Sequence, residues 1–360
     1  MTVARAAASA VAVFTSGTEG YHTFRIPALL PLDEGRLLAL AEARWDSAAD
    51  SGEIDLVQRR SDDGGRTWGP LEVVRHWAGY TCGNPAPVRT ATGELVLLSM
   101  TNGAAASEDD ILAGRIAPER GRRTWVQRSA DLGSSWTDPV EITTAVRRPD
   151  WRWYATGPTA GLTLAGGRIV VPANHSERSG AGRQAHTGHA ILSDDGGHTW
   201  RLGFVARPRP GVEPNESAVT ELPGNRLLFV SRNEAAEEPA HARLVATSSD
   251  GGETLDRPFA PRPGLVGSKV QAGVTAVPGS DWLATVVVRG PGRRGLELRV
   301  SGSAGRRWRS AGTVWPGPAA YCDVTTDGEA VLLLFEAGVA DPYESVRLVR
   351  IDPGDLGPRR

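Results

Sequence analysis

An octapeptide that returns along the whole chain sets the architecture. Ser61–Trp68 reads SDDGGRTW, Ser129–Trp136 reads SADLGSSW and Ser193–Trp200 reads SDDGGHTW, all fitting S-x-D-x-G-x-[TS]-W. Two degenerate copies follow: Ser248–Leu255 (SSDGGETL) replaces the final Trp, and Ser301–Trp308 (SGSAGRRW) carries Ser303 at the aspartate position. The octamer has the chemistry of a hairpin turn. Asp accepts backbone N–H bonds, Gly tolerates positive φ, Ser or Thr adds local hydrogen bonds, and Trp packs the turn on its sheet. Successive copies start 68, 64, 55 and 53 residues apart, enough for a four-stranded sheet with its loops. Between them lie short β-branched and apolar runs such as Arg36–Arg44, Glu94–Met100, Arg168–Ala173, Arg226–Arg232 and Ala330–Glu336, with little helical periodicity. The 43 glycines and 25 prolines fit many tight turns. Five turn copies, plus a sheet closed by the two chain ends, predict an all-β six-bladed β-propeller. With no low-complexity linker, residues 1–360 read as one domain.

Composition narrows the function classes. Charged residues make up 23% and nearly cancel, for a formal charge of −2, which argues against a strongly basic nucleic-acid surface. Lys269 is the only lysine, so nearly all positive charge sits on arginine, whose planar fork binds carboxylates bidentately. Cys82 and Cys322 form neither a zinc pattern nor a disulfide framework and read as free thiols. The histidines, His186 and His189 included, lack metal-ligand spacing, so no metal or other cofactor is expected. No apolar run reaches the ~18 residues of a membrane span. The N-terminal MTVARAAASAVAVFTSG lacks a convincing cleavage site and reads as the first strand of the mature protein. The expectation is a cytoplasmic, monomeric protein.

The octamer resembles the Asp-box of the sialidase (neuraminidase) superfamily. It is specific for a propeller and weak for function, and it implies structural roles for Asp63, Asp131 and Asp195. Further segments resemble this family, in its order, over roughly residues 10–352. Phe24-Arg25-Ile26-Pro27 is similar to the FRIP motif, whose arginine belongs to a triad gripping the substrate carboxylate. Asp50-Ser51-Gly52-Glu53-Ile54 looks like the D-x-G-[DE]-I segment that supplies the acid/base. The residues alone do not separate Asp50 from Asp46 or Asp55; the resemblance selects Asp50. Asn215-Glu216-Ser217 resembles the strand whose glutamate partners the nucleophile, with Glu221 as competitor, and Arg232-Asn233 matches the context of the second triad arginine. Arg293, eight residues before the fifth octamer, is the third, beside the alternative Arg294. Tyr321-Cys322-Asp323 resembles the nucleophile strand, with Cys322 where serine is commoner, and Phe335-Glu336 supplies the carboxylate that orients Arg25.

The resemblance therefore implies a retaining exo-α-sialidase acting on sialylated glycoconjugates. Sialic acid carries a carboxylate on its anomeric carbon, which three arginines can fix by charge-assisted hydrogen bonds. A carboxylate nucleophile would be repelled there, whereas a neutral tyrosine is not, and sialidases are the tyrosine exception among glycosidases. Tyrosine needs a base, which points to Glu216; Asp50 would serve as acid and then base. Arg44 and Asn84 are expected to shape the pocket. Trp151, Trp153 and Tyr154 are expected either to line an aglycone or glycerol subsite or to pack in the core. Competing expectations are a hydrolase for a deaminated sialic acid, a trans-sialidase, and a non-catalytic glycan-binding propeller.

Overall fold

The octamers turn out to be the links between the third and fourth strands of successive antiparallel sheets. The computed structural model describes residue 3 and residues 9–178, 184–235 and 241–356. Helix is confined to short pieces such as Glu108–Ala113 and Thr143–Val146, and the chain is all-β as expected. The apolar runs become strands buried on both faces; Leu37–Arg44 is buried at every position. Its polar members, Glu42 and Arg44, fall at one end, and that end opens on the cleft described below.

Hydrogen bonding groups the strands into four sheets. The first holds two meanders, from Thr23–Pro31 to Glu72–Arg75 and from Tyr80–Arg89 to Val140–Glu141, joined by the single parallel pair Ile54↔Thr81. The next two cover Tyr154–Val205 and Pro214–Val266. The last runs through the long strand Arg309–Thr326, which pairs first with Arg294–Ser301 and then with Val331–Ala337. Its outer strand comes from the other chain end: Val11–Thr15 lies antiparallel to Ser345–Ile351. The N-terminal expectation thus holds from Val11 onward, while residues 1, 2 and 4–8 lie outside the described residues. Apolar clusters fill the spaces between neighbouring sheets. In one of them Leu29, Leu37 and Val57 meet Leu332 and Leu348, joining early and late strands.

The turns follow one plan. Asp63 Oδ1 accepts the N–H groups of Arg66 and Thr67, each at 2.9 Å, and Oδ2 accepts the Thr67 hydroxyl at 2.7 Å. Asp131, Asp195 and Asp250 hold Ser135, Thr199 and Thr254 in the same way. In the fifth copy Ser303 keeps the backbone half of the pattern, its Oγ accepting Arg307 N–H at 2.9 Å. Gly65 has φ of 83°, and any side chain there would run into Leu348. None of these turn aspartates lines the cleft that gathers the candidate site residues.

Four strands lose register where they reach that cleft. The slips fall between Arg25 and Ala28, Gly83 and Ala86, Pro214 and Ser217, and Ala319 and Cys322. Ile26 (φ 56°) and Asn84 (φ 52°) adopt the left-handed region, which a β-branched residue such as isoleucine rarely tolerates. A bulge re-aims side chains at the end of a sheet, and each of these carries a candidate site residue.

The turn aspartates generate a pH prediction. Hydrogen bonds from Thr67 hold Asp63 at a pKa of about 2, and those from Ser135 hold Asp131 at about 2. A depressed carboxylate stabilises the fold above its unfolded pKa of about 3.9, and that stabilisation is lost as pH falls through the folded value. The Asp63→Asn/Asp131→Asn double variant should melt lower than wild type at pH 7 but lose less stability between about pH 4 and pH 2. Parallel acid melts by circular dichroism would contradict this.

Candidate active site

The cleft gathers side chains from every sheet, Ala155 and Asn174 of the second included, and Arg25, Arg44, Asp50, Asn84, Glu216, Arg232, Arg293 and Tyr321 all line it. Glu336 lies beneath it, fully buried, where Oε1 accepts Arg25 Nε at 3.3 Å and Ile26 N–H at 2.9 Å. Its Oε2 accepts Tyr321 N–H at 3.1 Å. One carboxylate therefore holds both the Phe24–Pro27 bulge and the tyrosine strand. Burial works against charge on Arg25, but Glu336 and Asp50 outweigh it and raise its pKa above the ordinary arginine value.

Tyr321 donates its hydroxyl to Glu216 Oε1 at 2.7 Å, while Arg232 Nη1 reaches the Tyr321 oxygen at 3.2 Å and Glu216 Oε2 at 3.0 Å. Burial, reinforced by Glu216, pushes the phenol well above its usual pKa. Burial also raises Glu216, against the pull of Arg232 and the Tyr321 hydrogen bond. The tyrosine is thus neutral at rest, with an acceptor for its proton already in contact.

Asp50 stands on the loop between Leu37–Arg44 and Ile54–Ser61, its side chain 75% exposed. Its Oδ1 meets Arg25 Nη1 at 2.9 Å and Arg44 Nη1 at 2.8 Å. Partial burial in the cleft tends to raise its pKa, but Arg44, Arg25 and Arg293 together hold it below the usual carboxylate range. The alternatives lie elsewhere. Asp46 is exposed outside the cleft, and Asp55 is buried in its strand, accepting Tyr21 Oη at 2.7 Å and contacting His76 Nδ1 at 2.7 Å. Glu221 and Arg294 do not line the cleft, and Arg294 is exposed, whereas Arg293 sits at φ 58° and donates to Tyr343 Oη at 2.5 Å.

The aromatic group divides. Trp153 lines the cleft, but Trp151 and Tyr154 are buried with His175 and His189 and cannot line a subsite. Trp151 stacks on His175 at 3.4 Å, and Tyr154 Oη contacts His189 Nε2 at 2.9 Å, so these side chains are spent on a closed core contact. Cys322 is buried, and burial pushes its thiol well above the ordinary pKa, which leaves it unreactive. Among the described residues no group of three or more His, Cys, Asp or Glu is arranged to hold a metal ion, and no helix is long and apolar enough to cross a membrane.

Other cleft residues were not singled out from the sequence. Glu42 accepts Asn84 N–H at 2.9 Å and Arg44 Nη2 at 2.6 Å, a second buried carboxylate holding a bulge. Glu234 pairs with Arg232 at 2.8 Å and Lys269 at 3.2 Å; burial tends to raise its pKa, but these cations bring it to about 2. Glu108 stands on the short Glu108–Ala113 helix, and Arg122 follows it in the chain. Burial raises Glu108 to about 7. Only Glu234 had an available signal, since it directly follows Arg232-Asn233.

Comparison with known proteins finds sialidases. The family of BNR repeat-like domains matches residues 35–334. An exo-alpha-sialidase of Aspergillus fumigatus is 30% identical over 301 residues, covering 78% of this chain and 68% of its own length. A sialidase of Micromonospora viridifaciens is 29% identical over 92% of this chain, but only 53% of that protein is covered. The chain thus spans about half to two thirds of these relatives. Among solved structures, a Hadza microbial sialidase superposes with a TM-score of 0.83 at 24% identity, covering 97% of this chain and 69% of that one. The intramolecular trans-sialidase from Ruminococcus gnavus superposes with a TM-score of 0.78 at 16% identity, covering 97% and 98%. Together, the relatives named sialidase and exo-alpha-sialidase define a glycoside hydrolase. The chain belongs to the BNR-repeat sialidase superfamily.

The position of Glu336 generates a prediction. Glu336→Gln keeps the shape but removes the charge that fixes Arg25, and should raise KM about tenfold or more while the melting temperature changes by only a few degrees. An unchanged KM in the folded variant would remove Glu336 from any orienting role.

Proposed function

We propose that this chain is a retaining exo-α-sialidase on a six-bladed β-propeller, hydrolysing terminal α-linked sialic acids through a covalent tyrosyl intermediate. The contact of Tyr321 with Glu216, set among Arg25, Arg232 and Arg293, carries the reading. Six blades are supported by the grouping of strands into four-membered meanders and by the pairing of Val11–Thr15 with the last of them.

In this scheme the three arginines take the carboxylate on the anomeric carbon. Arg25 then exchanges Asp50 for the substrate. Asp50 loses a cationic partner and gains an anionic neighbour, and both changes raise its pKa toward that of a general acid. The Tyr321 oxygen bonds to the anomeric carbon as its proton passes to Glu216. The glycosidic bond breaks, and Asp50 protonates the departing oxygen. Asp50 next deprotonates water, which displaces the tyrosine; Glu216 returns the proton, and two inversions give net retention.

Intramolecular transfer is a second reading, favoured by the end-to-end match with the Ruminococcus gnavus trans-sialidase. It differs in the second step, where a hydroxyl of the sugar replaces water and yields an anhydro sugar.

Fluorophore release from aryl α-ketosides of sialic acids, N-acetylneuraminic acid included, tests the proposal. Tyr321→Phe should lower turnover by about 100-fold or more and form no covalent sugar adduct by intact-mass analysis. Full activity in that variant would overturn the nucleophile assignment. Free α-anomer as the first product by NMR supports hydrolysis, and an anhydro product supports transfer.

Asp50→Asn adds a distinct expectation. Activity should fall by about 100-fold or more on natural glycosides but much less on aryl glycosides, whose leaving group needs no proton. Equal losses on both would remove Asp50 from the acid role.

A further inference from the structure

Asp55 stays outside the cleft, yet its buried carboxylate ties three separate segments together. Oδ2 accepts the Tyr21 hydroxyl at 2.7 Å and Trp45 Nε1 at 3.3 Å, and Oδ1 meets His76 Nδ1 at 2.7 Å. A carboxylate only accepts, so a His76 proton sits on Nδ1. Burial, then the bond to Asp55, raises the Tyr21 pKa, and the bond to Asp55 raises that of His76. The rings close around the same group. Trp45 stands edge-on to Tyr21 with ring centres 5.0 Å apart and to His76 with centres 6.4 Å apart.

Trp45 directly follows the strand Leu37–Arg44 and opens the loop that carries Asp50. No residue from 46 to 53 is buried, so that loop has no core of its own. Its far end is held at Gly52, whose N–H donates to Ala104 O at 2.9 Å and whose carbonyl accepts the Thr81 hydroxyl at 2.8 Å. Its near end is held at Trp45, whose N–H donates to Glu53 O at 3.2 Å and whose indole is tied to Asp55. Between the ends, Arg44 Nη1 donates to Ala48 O at 2.6 Å and pairs with Asp50, and Arg25 pairs with Asp50 as well.

In the proposed reaction the substrate carboxylate takes Arg25 away from Asp50, at the stage when Asp50 must reach the departing oxygen. Its placement then falls to Arg44 and to the two loop ends. A misplacement of about 1 Å can cost about 100-fold in rate, so an anchor outside the cleft is visible in turnover.

We propose that Asp55, supported by Tyr21 and His76, is a positioning residue that fixes Trp45 and so aims Asp50 at the departing glycosidic oxygen. Tyr21, Trp45, Asp55 and His76 do not line the cleft, and they act through the loop rather than on the sugar. The inference rests on the sialidase reading and on the acid role of Asp50 within it.

The test compares 4-methylumbelliferyl and benzyl α-ketosides of one sialic acid. The aryl group departs without a proton, whereas benzyl alcohol needs one. Trp45→Phe keeps a ring and loses the N–H, and His76→Ala removes the support; both side chains are partly exposed, which spares the fold. Each should lower kcat on the benzyl ketoside about tenfold, with aryl turnover and both KM values changed less than about twofold. His76→Gln, whose amide can donate to Asp55, should restore part of the loss. The Trp45→Phe/His76→Ala double variant should lose less than the product of the single losses, because both act through Asp55. Asp55→Asn should show the same selectivity; should it not fold, the other variants decide. Equal losses on the two ketosides, or full activity on both, in either folded single variant would overturn the inference while leaving the sialidase reading intact. A wild type that cleaves the aryl ketoside alone would do the same, since it has no acid to aim. Cleavage of neither ketoside by folded wild type would overturn both the inference and the sialidase reading.

Discussion

A fully buried carboxylate is the constraint on which the rest of the site depends. Glu336 accepts from the Arg25 side chain, the Ile26 backbone and the Tyr321 backbone, and all three donors converge on one fully buried group. An uncompensated charge at that depth would be prohibitive, so the strands around it are obliged to present donors. The register slips at Arg25–Ala28 and Ala319–Cys322 do this by turning N–H groups out of the ladder toward the carboxylate. Glu42 imposes the same condition on Asn84, and Asp323, which accepts Leu29 N–H at 2.9 Å, extends the pattern to the middle of the molecule. The left-handed backbone at Ile26 and Asn84 is the strain accepted in return.

The cleft above these anchors is a problem in charge spacing. Converging arginines repel one another, and each of Arg25, Arg44 and Arg232 is held apart by carboxylates paired with it. Asp50 differs from Glu336 in being largely exposed on a loop, which leaves it free to give up its arginine contacts. The buried acids hold the geometry, and Asp50 is the one left exposed at the cleft.

What could be read from the sequence, and what could not, follows from how local each feature is. The octamer turns were legible because Asp, Gly, Ser or Thr and Trp act within eight consecutive residues. Arg25, Asp50, Glu216, Arg232, Arg293, Tyr321 and Glu336 could be named because each sits in a short motif whose order along the chain resembles a known family. Arg122, Glu42 and Glu108 have no such context. They meet the site only through the meeting of separate strands and loops, which no local spacing encodes. Trp151 and Tyr154 show the reverse error. Their neighbour Trp153 does reach the cleft, but it lies in the irregular stretch before the strand Tyr154–Thr156, where no period sets the faces, and Trp151 and Tyr154 turn inward to His175 and His189.

The pairing of Val11–Thr15 with Ser345–Ile351 has a temporal consequence. During synthesis the strand Val11–Thr15 must wait until Ser345–Ile351 has been made before its partner exists. The tyrosine strand and the Glu336 strand belong to that same late sheet. Arg25 therefore reaches Glu336 only after a further 311 residues have been made, and until then Asp50 is the carboxylate at hand. Joining of Arg25 to Glu336 and closure of the fold by the two end strands become a single late event.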